Sequence, residues 1–163
     1  MDSEGGPERF PHAESVGFLL SQLGFATSRS FKERLAPLDL DPKQFGMLRY
    51  VAAAEGQSQH ALGDALQIPP SRMVALVDEL EERGLLERRP DPADRRVRAL
   101  HLTPKGRRTL QHAMEVAIEH EKETCGCLEP GEREQLLDVL NRIAEARGLR
   151  AGVHPGLKAG GPP

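Results

Sequence analysis

Arginine is the residue whose type and spacing first suggest chemistry in this chain. Between Arg83 and Arg108, nine Lys or Arg (83, 88, 89, 95, 96, 98, 105, 107, 108) stand against three acids, Glu87, Asp91 and Asp94. The window has a surplus of six positive charges in a chain of formal net charge −3, leaving −9 for the rest. A guanidinium is a rigid fork of donors that matches phosphate oxygens and the acceptor edge of guanine. Phosphate contact needs a local cationic patch, and whole-chain charge says little about one. A merely solvated surface would mix both signs along the window.

Other chemistry is sparse. Cys125 and Cys127 follow His120 and lie near Glu121 and Glu123, so a redox switch or a metal site is imaginable. Thiols one residue apart are badly placed to bridge each other, and two ordinary thiols at a helix end is the simpler reading. The six histidines (12, 60, 101, 112, 120, 154) are scattered and none forms His-Glu-x-x-His, so no metal is expected. The chain has no Gly-rich phosphate loop, no nucleophile elbow and no obvious acid–base carboxylate pair. Neither catalytic residues nor a cofactor are expected, and an enzyme is the disfavoured class.

The elements that must position the arginines are mostly helical. Val16, Leu19, Leu20, Leu23 and Ala26 follow helical spacing and predict a first helix over 14–36. Asp41-Pro42-Lys43-Gln44 carries an N-cap, a first-turn proline and a capping-box partner for a second helix that runs to Gly56. Ser58 can cap a short third helix bearing Leu62 and Leu66, and Pro69-Pro70-Ser71 opens a fourth that ends at Gly84. In the fourth, Met73, Leu76, Val77 and Leu80 make the buried stripe, while Ser71, Arg72, Ala75 and Glu79 face outward. Its acids (Asp78, Glu79, Glu81, Glu82) all lie in the C-terminal half, so only the first turns can approach phosphate.

Leu86–Arg89 and Val97–Leu102 alternate as strands, with the tip Pro90–Arg96 between them. Thr103-Pro104 starts a fifth helix through Leu110, Ala113, Met114 and Ala117. Glu129-Pro130 starts a sixth, with Leu136, Leu137, Leu140, Ile143 and Ala144 on one face and Gly148 as its stop. Helices one, five and six have wide apolar faces that the small central unit cannot cover. The simplest cover is a second copy in a two-fold dimer.

The run Leu76-Val-Asp-Glu-Leu80-Glu-Glu-Arg-Gly84-Leu-Leu-Glu-Arg88-Arg-Pro-Asp-Pro-Ala-Asp94-Arg-Arg96, then Leu100-His-Leu-Thr103-Pro-Lys-Gly106, resembles the MarR family of bacterial transcriptional regulators. That pattern has an Asp-x-Arg wing tip followed by Leu-Thr-x-x-Gly, and with the flanking helices it covers about residues 14–147. The resemblance implies a mainly α fold with a small β-hairpin wing: a winged helix-turn-helix at 41–103 between dimerisation helices at 14–40 and 104–147. Residues 1–13 and 148–163 read as flexible tails, being rich in Gly and Pro.

It also implies a homodimer on a palindromic operator in double-stranded DNA, usually as a repressor released by a small phenolic or aromatic ligand or by oxidation. Ser71 and Arg72 fall at the family's base-reading turn. Arg96 falls at the wing arginine of the minor groove, with Arg95 and Arg98 beside it. Asp94 orders the wing by pairing with a neighbouring arginine. Gln59 and His60 fall where relatives touch backbone or base edges. Where many members carry Thr-Arg in the recognition helix, this chain has Val74-Ala75, which shifts direct readout towards Arg72 and the wing.

Phe18, Gln22, Phe45, Arg49 and Tyr50 are the candidate lining of a ligand pocket; Arg49 and Tyr50 would hold the polar end of an aromatic acid. If Cys125 and Cys127 are reactive, an intersubunit disulfide is their expected product, in a thiol- or metal-responsive regulator of the same fold. A winged-helix module that binds protein without an operator is the rival from another class. No run approaches the length of a membrane span and Met1-Asp-Ser-Glu4 is no cationic leader, so a cytoplasmic protein without membrane partners is expected.

Overall fold

The computed structural model describes residues 15–91, 94 and 96–158. These form α1 (Val16–Leu35), α2 (Pro42–Ala53), α3 (Gln59–Leu66), α4 (Pro70–Glu82), β1 (Leu86–Pro90), β2 (Arg98–Leu102), α5 (Pro104–Cys125) and α6 (Pro130–Ala146). Short 3-10 turns lie at Ala36–Leu38 and Pro155–Leu157. The element order is the one the sequence predicts, a mainly α chain with a single antiparallel hairpin among the described residues.

Local chemistry sets the helix starts. The Ser15 hydroxyl accepts from Phe18 N–H, and Ser58 Oγ accepts from Ala61 N–H at 3.0 Å. Both arms of the capping box at α2 are made, Gln44 N–H to Asp41 Oδ1 at 2.8 Å and Asp41 N–H to Gln44 Oε1 at 2.9 Å. Thr103 Oγ1 accepts from Gly106 N–H at 2.9 Å and donates to the Gly84 carbonyl at 2.6 Å. A Cβ on Gly106 would run into the Leu85 carbonyl, so only glycine lets α5 start this close to the α4–β1 junction. That is the physical content of the Leu-Thr-x-x-Gly motif.

The core is aliphatic, as one Tyr, five Phe and no Trp require. Leu35, Met47, Leu48, Val51, Met73, Val77, Leu80, Leu85, Leu86 and Leu100 are buried together, which seats α2, α4 and the hairpin on one another. The strands pair Leu86 with Leu102, Arg88 with Leu100 and Pro90 with Arg98. Gly56 N–H to the Leu100 carbonyl (3.0 Å) and Leu100 N–H to the Gln57 carbonyl (2.9 Å) fasten β2 to the segment before α3.

Two regions depart from this closed packing. No residue of α6 is buried, and its Leu136, Leu137, Val139, Leu140 and Ile143 stay 36–52% exposed. Val16, Leu19, Leu23 and Phe25 of α1 are exposed as well. The second departure corrects an expectation: residues 148–158 are no free tail. Gly148 and Gly152 turn the chain back at positive φ, and Leu157 is buried against α2 with 2% exposure. Tyr50 Oη donates to the Gly152 carbonyl, and Lys158 Nζ donates to Gln67 Oε1 at 2.7 Å. Val153 and Leu157 are the apolar residues by which this strap packs on the core. Residues 1–14 and 159–163 lie outside the described residues.

Candidate nucleic-acid interface

Helix α4 is built differently from its neighbours at the N-terminus. Its N-cap is Pro69 and its first residue Pro70, and no side chain caps it. The prolines carry no N–H, and the first helical bond is Met73 N–H to the Pro69 carbonyl at 2.9 Å. The backbone N–H groups of Ser71 and Arg72 are the orphans left over. Met73, Leu76, Val77 and Leu80 are buried, and Ser71 and Ala75 are exposed, as their spacing predicts. Val74 is also exposed.

Arg72 differs from its expected outward placement. It precedes Leu76 by one turn, lies at the edge of the buried stripe and is half-buried, and its buried Nε–H has no acceptor among the described residues.

The acids of α4 are mostly tied up. Glu79 accepts from Gln44 Nε2 at 2.5 Å, while Asp78 (2.5 Å) and Glu81 both accept from the Arg88 guanidinium. Several basic residues of the 83–108 window are likewise committed inside the molecule. Arg83 pairs with Asp39 at 2.9 Å, Arg89 with Glu87 at 2.5 Å and Arg107 with Glu55 at 2.5 Å. Arg96, Arg98 and Arg108 are exposed and make no ion pair among the described residues, and Lys105 Nζ donates to the Arg83 carbonyl at 2.8 Å. Counted by charge left uncompensated, the cationic face is much narrower than the sequence window.

At the wing, Asp94 Oδ1 accepts from the backbone N–H of Arg96 at 3.0 Å, and Val97 N–H donates to the Asp94 carbonyl at 2.9 Å, closing the tip. Asp94 therefore orders the tip through backbone and makes no ion pair among the described residues. Arg95 lies outside the described residues. On α3, His60 is exposed beside Asp64 at 3.3 Å, and Gln59 Oε1 accepts from Arg88 Nε at 3.0 Å.

The pocket candidates separate. A cleft of about 610 Å³ opens between α2, α5 and the start of α6, lined by Phe45, Arg49, Met114, Ile118, Lys122 and Arg133 among others. The Arg49 guanidinium lies 5.6 Å from the Phe45 ring centre. Phe45 and Arg49 belong to this cleft; Phe18, Gln22 and Tyr50 do not line it. Cys125 does, which unites two features the sequence kept apart.

Burial pushes the Cys125 thiol up, and the Glu121 carboxylate 3.8 Å away adds to this. A peroxide-sensing cysteine needs the opposite, a stabilised thiolate. Among the described residues no three His, Cys, Asp or Glu side chains gather as a metal site. Lys122 and Arg133 carried no motif in the sequence, and only the fold shows that they line one cleft with Arg49.

Residues 38–97 match the model described as MarR family. A putative transcriptional regulatory protein for the hcr operon of Thauera aromatica is 33% identical over 132 residues, covering 80% of each chain. The chain belongs to the MarR family.

Solved structures agree with this. The transcriptional repressor CouR bound to a 23-mer DNA duplex is 34% identical with a TM-score of 0.73, covering 83% of this chain and 99% of that one. CouR from Rhodococcus jostii RHA1 bound to p-coumaroyl-CoA is 32% identical with a TM-score of 0.68, covering 80% and 92%. In this MarR-family protein α3 and α4 are the helix-turn-helix and β1–β2 the wing. Its relatives are transcriptional regulators, and no helix among the described residues is long and apolar enough to cross a membrane.

Proposed function

We propose that this MarR-family chain is a homodimeric repressor that binds a palindromic operator and leaves it on binding an aromatic ligand. The observation that carries the reading is α4's uncapped first turn. Two orphan N–H groups there stand beside the half-buried Arg72, while three of the helix's four downstream acids, Asp78, Glu79 and Glu81, are held by Gln44 and Arg88. In this reading Ser71 and Arg72 meet base edges in the major groove, and Arg95, Arg96 and Arg98 of the wing follow the minor groove and backbone. Gln59 and His60 touch the duplex from α3. Residues 41–103 form the reading head, and α1, α5 and α6 join two copies. The uncovered apolar faces of α1 and α6 support the dimer.

The cleft supports the ligand. A lining that combines apolar Phe45, Met114 and Ile118 with Arg49, Lys122 and Arg133 suits an aromatic group with an anionic end. Arg49 is the cation not paired to an acid among the described residues, since Arg133 is held by Glu121 and Lys122 by Glu119. CouR's ligand makes p-coumaroyl-CoA, with p-coumarate alone as comparison, the first probe. The raised Cys125 thiol sets this reading above a redox input.

The test is fluorescence anisotropy on duplexes from the DNA flanking the coding gene, in a salt series, with and without each probe. The expected result is one tightly bound, salt-sensitive duplex released by a probe that also raises Tm. Indifference to sequence at low salt would sink the operator, and a Tm unmoved by either probe would sink this ligand class.

A further inference from the structure

Arg88 sits in the cationic window, yet its guanidinium is turned inward onto three acceptors. Nε donates to Gln59 Oε1 at 3.0 Å, Nη2 donates to Asp78 at 2.5 Å, and Nη1 donates to Glu81. Its backbone N–H also donates to Glu81 Oε1 at 3.1 Å. One side chain on β1 thus holds the first residue of α3 and two residues of α4. Only a planar fork reaches acceptors on three sides at once; an ammonium is a point charge on a flexible stem.

Two consequences follow for a duplex approaching α3 and α4. First, the charge of Asp78 and Glu81 is partly compensated within the protein, one guanidinium against two carboxylates, so the recognition helix repels phosphate less. Second, the Gln59 amide is fixed in one sense. Arg88 Nε–H can only donate, so Gln59 must turn its oxygen to it. That leaves the amide's two N–H donors, which have no partner among the described residues, for an acceptor outside the chain.

We propose that Arg88 is a positioning residue for DNA reading. It touches no DNA itself and acts through Gln59, whose amide it holds as a pure donor towards acceptor atoms of the duplex. This rests on the reading of α3 and α4 as the DNA-facing elements.

The test uses the full chain and a duplex that the wild-type protein enriches from a random-sequence pool, with a scrambled duplex as control. Arg88→Lys and Gln59→Ala should each weaken the enriched duplex by about tenfold. The double variant should lose no more than about tenfold, because both remove one interaction. Gln59→Glu keeps an oxygen for Arg88 but discards the donors and adds a negative charge towards the duplex. It should bind no more tightly than Gln59→Ala, with a Tm no lower than wild type. If Arg88→Lys fails to fold, shown by circular dichroism, Gln59→Glu decides.

A merely structural Arg88 would instead multiply with Gln59→Ala to about a hundredfold loss. That multiplication, wild-type binding by Gln59→Glu, or a folded Arg88→Lys without effect overturns the proposal. Failure of the wild-type chain to enrich any sequence has a different signature: it removes the DNA-facing reading itself, and this proposal with it.

Discussion

At the scale of residues, the two arginines assigned to different grooves should fail differently. Arg72→Ala should cost about 1–3 kcal/mol at particular base pairs and little on scrambled duplex. Arg96→Ala should weaken binding broadly and erode A·T preference, since a narrow minor groove attracts the guanidinium without naming a base. Titrating both variants on matched and scrambled duplexes checks this, and equal, sequence-blind losses would sink the assignment of Arg72.

Glu55 offers a separate test in acid. Its hydrogen bond from Arg107 at 2.5 Å, with Leu102 N–H at 3.1 Å in support, holds the carboxyl below its ordinary value of 4.5. A depressed folded pKa contributes stability that is complete above the unfolded value and is lost as pH falls through the folded one. Wild type should therefore be more stable than Glu55→Gln near pH 7, with the gap closing below about pH 4.5. Urea midpoints across that range measure it, and a gap that widens in acid would refute the attribution.

Residue types were legible in the sequence here, but pairings were not. Nothing in the order of letters says that Arg88 faces Asp78 and Glu81 while Arg96 faces solvent. That depends on which strand edge packs on α4.

At the scale of elements, periodicity and capping located the helices and the hairpin because each signal is local. Asp41-Pro42-Lys43-Gln44 and Thr103-Pro104 hold their reasons within four residues. The strap escaped because Val153 and Leu157 have no period and sit among Gly and Pro, which read as a tail. Its contribution is measurable. Leu157→Ala removes a side chain that is 2% exposed and packed against α2, and should lower stability by about 2–5 kcal/mol. A loss below about 0.5 kcal/mol, the level of surface changes, would mean that the strap is not docked in solution.

Gly106→Ala tests the other long-range junction. The new methyl meets the Leu85 backbone, which cannot swing aside as a side chain can, and overpacking of this kind costs about 1–3 kcal/mol. A lowered urea midpoint with an unchanged slope is the expected result.

At the scale of the whole molecule, net charge and local charge oppose each other. The chain carries −3, and internal pairs compensate several of its basic residues, so long-range attraction to DNA is weak. Binding must then rest on close contacts by a few arginines, and doubling them in a dimer is the economical way to gain affinity. The exposed faces of α1 and α6 are where that doubling would be enforced. Placing charge there, with Leu137→Asp and Leu140→Asp together, should leave the reading head folded, because no residue of α6 is buried within the chain. The variant should sediment as a single subunit. Each phosphate neutralised contributes about 0.9 to the slope of log K against log salt, so the slope should fall to about half its wild-type value as one head is lost. Sedimentation and a salt series on the same duplex measure both quantities together. A monomeric variant that kept the full slope would show that one head already makes every phosphate contact, and the two-fold arrangement would then have no part in binding.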